Sequence, residues 1–217
     1  ARGTKVHSLM EEYLLGIDKD PVIDDPEIAQ FWDGLPKNLS KLENVIWAEN
    51  PANVDDYAWT KGSDGISRVW HPGIQEGKNY GWAGAPDIVA EYKGQIVLGD
   101  LKTSNNPYCS KWPDSSTPKS EYGKKRSGFM KYQKCQLQLA AYALGLEHTI
   151  NIIPDLCMTF VATKEGSQVF VIQKHTIEKY KQKWLDIVTK YYEEVLPSKK
   201  KAVVEMEGID GDNIDPK

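Results

Sequence analysis

The chain has 217 residues, 40% of them hydrophobic and 27% charged, with a formal net charge of −4. This is the composition of a soluble globular domain with a sizeable core, and it excludes a protein that coats nucleic acid by bulk charge. No apolar run approaches the roughly 18 residues of a membrane span, so no membrane partner is expected.

In chain order, Val6, Leu9, Met10, Tyr13 and Leu14 recur at helical spacing and predict a helix over residues 2–15, closed by Gly16 and Pro21. Residues 17–40 read as loop with a helical turn near Pro26–Trp32. Strand composition marks residues 43–49 and 66–70, with Gly- and Asp-rich turns between and after them. Residues 86–92 and 95–103 form the clearest hairpin, turning at Lys93-Gly94. A long loop rich in Ser, Pro, Asn and Lys is expected over 104–128, then a helix over 129–146. A second hairpin (156–163 and 168–173), an amphipathic helix over 176–195 and a charged tail over 197–217 complete the order. The expected fold class is α/β, a mixed sheet flanked by helices, in a single domain over residues 1–196.

The three cysteines, Cys109, Cys135 and Cys157, form no CxxC pair, so the ligand spacing of an iron–sulfur cluster is missing and reduced thiols in an intracellular protein are expected. The start, Ala1-Arg2-Gly3, resembles neither an initiator nor a signal peptide, and a longer native N-terminus is expected. Charge is uneven. Residues 1–60 hold twelve acids and five bases, whereas 102–134 hold eight bases and two acids. The basic stretch includes Lys124, Lys125 and Arg126 and is interleaved with Tyr108, Trp112, Tyr122, Phe129 and Tyr132, a mixture suited to phosphates and stacked bases, or to a solvated loop.

The first hairpin carries the chemistry. Asp100 and Lys102 are two apart on one strand and share a face, and the hairpin folds Asp87 back toward them. Paired carboxylates repel unless one is protonated or both meet a cation; an oxygen-rich site suits one or two Mg²⁺ or Mn²⁺ ions. Lys102 would then orient water and stabilise developing charge. The plainer reading of Asp100 and Lys102 is a salt bridge on a solvated strand face.

Four segments, taken together, carry a family resemblance. Gly84-Ala85-Pro86-Asp87 and Gly99-Asp100-Leu101-Lys102-Thr103-Ser104 resemble the GxxD and DxKTS motifs of RecB-like PD-(D/E)XK nucleases. Gln138-Leu139-Ala140-Ala141-Tyr142 resembles their QxxxY motif, and Arg2-Gly3-Thr4-Lys5-Val6-His7 their N-terminal GTxxH motif. Within that group the chain is most similar to the mitochondrial genome maintenance exonuclease family and its phage and bacterial relatives, through Val45–Asn50, Gly84–Ser104 and the hairpin at Val161–Gly166 with the Trp184 helix.

The resemblance implies a restriction-endonuclease-like core and a Mg²⁺- or Mn²⁺-dependent exonuclease that prefers single-stranded DNA. It implies that His7, Asp87, Asp100 and the Leu101 carbonyl hold the metal, with Asp87, Asp100 and Lys102 catalytic. Gln138, Tyr142, Thr103, Ser104, Lys124, Lys125 and Arg126 would face substrate, and the 104–128 segment would guide the strand. Glu49 is an additional acidic candidate or an ordinary strand-end acid, and Glu11 could hydrogen-bond His7. A monomer is expected, cytoplasmic in a bacterium or phage and mitochondrial in a eukaryote. The alternatives are a double-strand recombination exonuclease or flap endonuclease of the same fold, and a catalytically silent DNA-binding module.

Overall fold

The computed structural model describes residues 2–52, 60–61, 66–73 and 80–198. The tail expected from residue 197 therefore lies, beyond residue 198, outside the described residues.

Three helices open the chain: α1 (Arg2–Leu14), α2 (Pro26–Trp32) and α3 (Pro36–Leu39). Asp25 caps α2 through its carboxylate, which accepts from the Glu27 and Ile28 amides, with Pro26 at the first helical position. Strands β1 (Glu43–Ala48), β2 (Asn50–Pro51), β3 (Thr60–Lys61), β4 (Ser67–His71), β5 (Trp82–Gly84), β6 (Ile88–Tyr92) and β7 (Gln95–Thr103) follow. Then come α4 (Lys119–Ile150), β8 (Leu156–Thr163), β9 (Gly166–Gln173) and α5 (Lys174–Lys190), which runs into a π-helical turn at Tyr191–Val195.

The main sheet has the order β2-β1-β6-β7-β8-β9, and a small sheet has the order β3-β4-β5. Every pair in the main sheet is antiparallel except β7 with β8, which is parallel and needs a long crossover; α4 supplies it. Lys93 and Gly94 both take positive φ (52° and 75°), the backbone of a two-residue turn that matches strand twist.

Alternation along the strands divides the core between two layers of helices. Ile88, Val97, Leu101, Met158 and Phe160 pack against α1, α2 and α3. Trp47, Val89, Leu98 and Cys157 face Leu139, Ala143 and Leu146 of α4 and Ile177 of α5. Covered on both faces, β8 is buried at every position, as a central strand beside a parallel partner should be. The result is the mixed α/β sheet flanked by helices that the sequence predicts.

Three expectations need correction. The loop expected over 104–128 ends at Pro118, and α4 begins at Lys119, so Lys124, Lys125 and Arg126 are helical. Its Ser, Pro, Asn and Lys content made the segment read as loop. Gly128 within α4 serves close packing, because a Cβ there would lie 2.8 Å from the Pro107 carbonyl. The short helix α3 lies within the stretch read as loop, and the strands β2, β3 and β5 are too short to leave a period.

Candidate active site

The site forms where the carboxyl end of β7 meets the chain entering β6, beneath the middle of α1. Ile88 pairs with Gly99, so Asp87 and Asp100 are brought level across the hairpin. The Leu101 amide donates to Asp87 Oδ2 at 2.7 Å, fixing one carboxylate on the next strand's backbone. Lys102 Nζ donates to Asp100 Oδ1, also at 2.7 Å. The plain salt-bridge reading of that pair fails on burial: Asp100 is 0% exposed, so this is no solvated strand face.

His7 reaches the cluster from α1, next to the buried Val6 and one turn before the buried Met10 that seat the helix. Its Nδ1 meets Glu49 Oε1 at 2.5 Å and lies 3.9 Å from Asp87 Oδ2, while its Nε2 lies 3.1 Å from the Leu101 carbonyl. His7, Glu49 and Asp87 place ligand atoms within 4.8 Å of one another. Glu49 sits at the apex of the reversal between β1 and β2 with φ 56°, and its amide donates to the Asp87 carbonyl. A non-glycine residue held in the left-handed region at a site is the kind of strain that surrounding structure must enforce. Glu49 therefore belongs to the cluster and is not an ordinary strand-end acid.

Glu11 does not take the role expected of it. Both nitrogens of His7 are occupied by Glu49 and the Leu101 carbonyl. Glu11 instead bonds Asn50, and burial pushes its carboxyl above the usual range.

Electrostatics follow from burial. Desolvation, then the charge of Asp100, pushes the Asp87 carboxyl up to about 7, against the opposing pull of His7 and Lys102. Burial also raises Asp100, with Lys102 opposing. Burial would lower Lys102, but Asp100 and Asp87 overcome it and hold the ammonium above its ordinary value. Burial likewise pulls His7 down, yet the Glu49 bond and the Asp87 charge raise it overall. Two lone-pair atoms such as His7 Nε2 and the Leu101 oxygen sit 3.1 Å apart only with a proton or cation between them.

Gln138 and Tyr142 close the other side from α4. Gln138 Nε2 donates to the Tyr142 hydroxyl at 2.7 Å. Burial raises the Tyr142 phenol against the opposing Gln138 bond, and the charges of Asp100 and Asp87 raise it further. Gly84 makes room for this ring, since a Cβ there would lie 2.4 Å from Tyr142 Cε1. Gly84→Ala should force the Tyr142 ring aside and cost about 1–3 kcal/mol of stability, the usual cost of overpacking, read as a fall in Tm.

The remaining expected residues divide. Ser104 is buried and its hydroxyl accepts from Lys131; Thr103 lies against Gly3 of α1. Lys124, Lys125 and Arg126 are not brought to the carboxylates. Arg126 is twelve residues before Gln138 on α4, roughly 18 Å along the helix. There Lys125 pairs with Glu121 at 3.2 Å, and Arg126 lies 5.8 Å over Trp112. Tyr108, read among the aromatics suited to stacked bases, is instead buried with Cys135 and Val161. Burial, then Asp100, pushes the Cys135 thiol to about 12, and burial, then Cys135, pushes the Tyr108 phenol to about 12. Residues this ordinary leave no motif.

No family model matches the chain, and no curated protein matches it. Among solved structures, that of SSO0001 is similar at 10% identity and a TM-score of 0.31, over 84% of this chain and 86% of that one. A likeness that slight carries no argument. No helix among the described residues is long and apolar enough to cross a membrane.

Proposed function

We propose that this chain is a divalent-metal-dependent deoxyribonuclease with a PD-(D/E)XK core, hydrolysing phosphodiester bonds of DNA from its ends with single strands preferred. The observation that carries the reading is Asp100 Oδ2, a fully buried carboxylate oxygen with no hydrogen-bond partner, set beside a second buried carboxylate. A buried carboxylate oxygen without a partner is costly, and a cation can satisfy it while offsetting the repulsion between the two carboxylates.

The residues fit a hard divalent ion. Asp87, Asp100 and the Leu101 carbonyl offer oxygens, His7 offers Nε2, and Glu49 either adds an oxygen or orients the imidazole through Nδ1. When bound, Mg²⁺ or Mn²⁺ supplies polarisation of a phosphoryl oxygen and a lowered pKa for water. Lys102, held as an ammonium by Asp100, is no general base. Its role is to position the attacking water and to balance charge developing on the phosphoryl oxygens. Tyr142 and Gln138 present a hydroxyl and an amide on the opposite side, suited to a phosphate oxygen.

The test is digestion of end-labelled single-stranded, duplex and flapped DNA with Mg²⁺, Mn²⁺ or chelator. The expected result is metal-dependent shortening, fastest on the single strand. Preference for duplex ends or flaps would move the reading to a relative of the same fold. Binding without cleavage under any metal would overturn it in favour of a silent binding module.

A further inference from the structure

Behind Tyr142 and Gln138 lies a second feature, most of whose walls the chemistry of hydrolysis does not use. A cleft of about 490 Å³ opens between α4, β5 and α5, within the roughly 300–1,000 Å³ of small-ligand sites. Its walls include Trp82, Trp184, Leu137 and the ring of Tyr142, and its polar groups are Gln138 and Lys134. Tyr142 and Gln138, the pair proposed to face a phosphate oxygen, line this cleft, and Gly84 on its wall lies against the Tyr142 ring three residues before Asp87.

The two indoles are fixed differently. Trp82 stacks on His71 (centroids 4.5 Å apart, planes 18° apart) and donates its Nε1 proton to the Ala141 carbonyl at 3.2 Å. Trp184 meets Trp82 at 77°, with ring centroids 5.9 Å apart. On α5, Trp184 falls on the same face as the buried Ile177, Tyr180, Lys181 and Val188, yet it stays half-buried because it lines the cleft. Its Nε1 proton is buried and has no acceptor. A planar group lying flat on one indole meets the other across a near right angle, the two aromatic arrangements that are favourable. At the exposed end of the cleft, Lys134 has no ion-pair partner among the described residues.

These features call for an occupant that is flat and largely apolar, carries acceptors on its edge and is joined to negative charge. We infer that the cleft takes one unpaired nucleobase of the strand whose adjacent phosphate lies at Asp87 and Asp100. This rests on the proposed nuclease function and adds a reason for strand choice. A paired base would have to leave its stack first, at a cost of a few kcal/mol, whereas an unpaired base enters without that cost. Lys134 meets the neighbouring phosphate.

The experiment is a walk of a single abasic site along an end-labelled single strand, with kcat/KM measured in Mn²⁺ for wild type, Trp184→Phe and Trp184→Ala. In wild type, an abasic site at one or two positions next to the cleaved bond should lower kcat/KM on the order of 5- to 150-fold, the range of one base–aromatic contact. Trp184→Ala should cut the intact strand as slowly as the abasic one and show no positional dependence. Trp184→Phe, which keeps a ring and serves if the alanine variant fails to fold, should retain the positional dependence at reduced size. Equal cutting of intact and abasic strands by wild type would overturn the cleft's role and leave the nuclease standing. No cutting of the intact strand would overturn the nuclease reading and the inference with it.

Discussion

Lys102→Ala is expected to lower the single-turnover rate of phosphodiester cleavage about 10²–10³-fold, the usual cost of losing one preorganised donor to developing charge. β7 stays paired on both sides, but the metal-free fold should lose stability, because the buried Asp100 loses its Lys102 partner, so melting is measured beside the rate. Substrate binding should change little, since the ammonium is held on Asp100 rather than turned outward. Lys102→Arg should not restore the rate. A guanidinium can pair with the carboxylate, but it is bulkier and spreads its charge over a planar fork, so it does not put a point charge where the ammonium sits. The measurement is single-turnover cleavage beside DNA-binding anisotropy. An alanine variant within a few-fold of wild type would remove Lys102 from the mechanism and leave it a partner that neutralises Asp100.

The sequence reveals the parts of this site that are local. Asp100 and Lys102 share a face by strand alternation, and Asp87 is brought level by a two-residue turn, so three of the cluster's residues follow from one hairpin. Gln138 and Tyr142 follow from helical spacing. The rest depends on long-range packing. Glu49, an open candidate from sequence, enters the cluster because the chain reverses sharply after β1 with a left-handed backbone at that residue; Asn50-Pro51 marks a turn there but not what the turn faces. The same reversal gives Glu49, and not Glu11, the imidazole of His7. Lys124–Arg126 carry charge suited to phosphate, but the helical backbone sets them far up α4 from the carboxylates. Trp82 and Trp184, some hundred residues apart, meet only through the fold. Short strands such as β5, which carries both Trp82 and Gly84, lie below the length at which alternation can be read.

Asp87→Asn should raise the stability of the metal-free protein at alkaline pH while abolishing its metal response. Below about 3.8 the Asp87 carboxyl is protonated whether the chain is folded or not. As pH rises, the unfolded chain ionises first, so folding loses ground. The loss is complete once the pH passes about 7, where burial and Asp100 set the folded carboxyl. The step from 3.8 to about 7 corresponds to a penalty of about 4 kcal/mol. Asparagine removes the charge but keeps an oxygen to accept from the Leu101 amide. The metal-free variant should therefore melt roughly 5–15 °C above wild type at pH 8 and near it at pH 4. Divalent ions act in the opposite sense on wild type. They compete with protons at Asp87 and at His7 Nε2, so Mn²⁺ should raise the wild-type Tm more at pH 8 than at pH 5.5. The variant, lacking one carboxylate, should show little metal-induced shift and no cleavage. Melting curves of both proteins across pH 4–8, with chelator and with Mn²⁺, test both halves. A variant no more stable than wild type at pH 8 would mean that Asp87 ionises in the fold without cost. A full Mn²⁺ shift in the variant would take Asp87 out of the metal site.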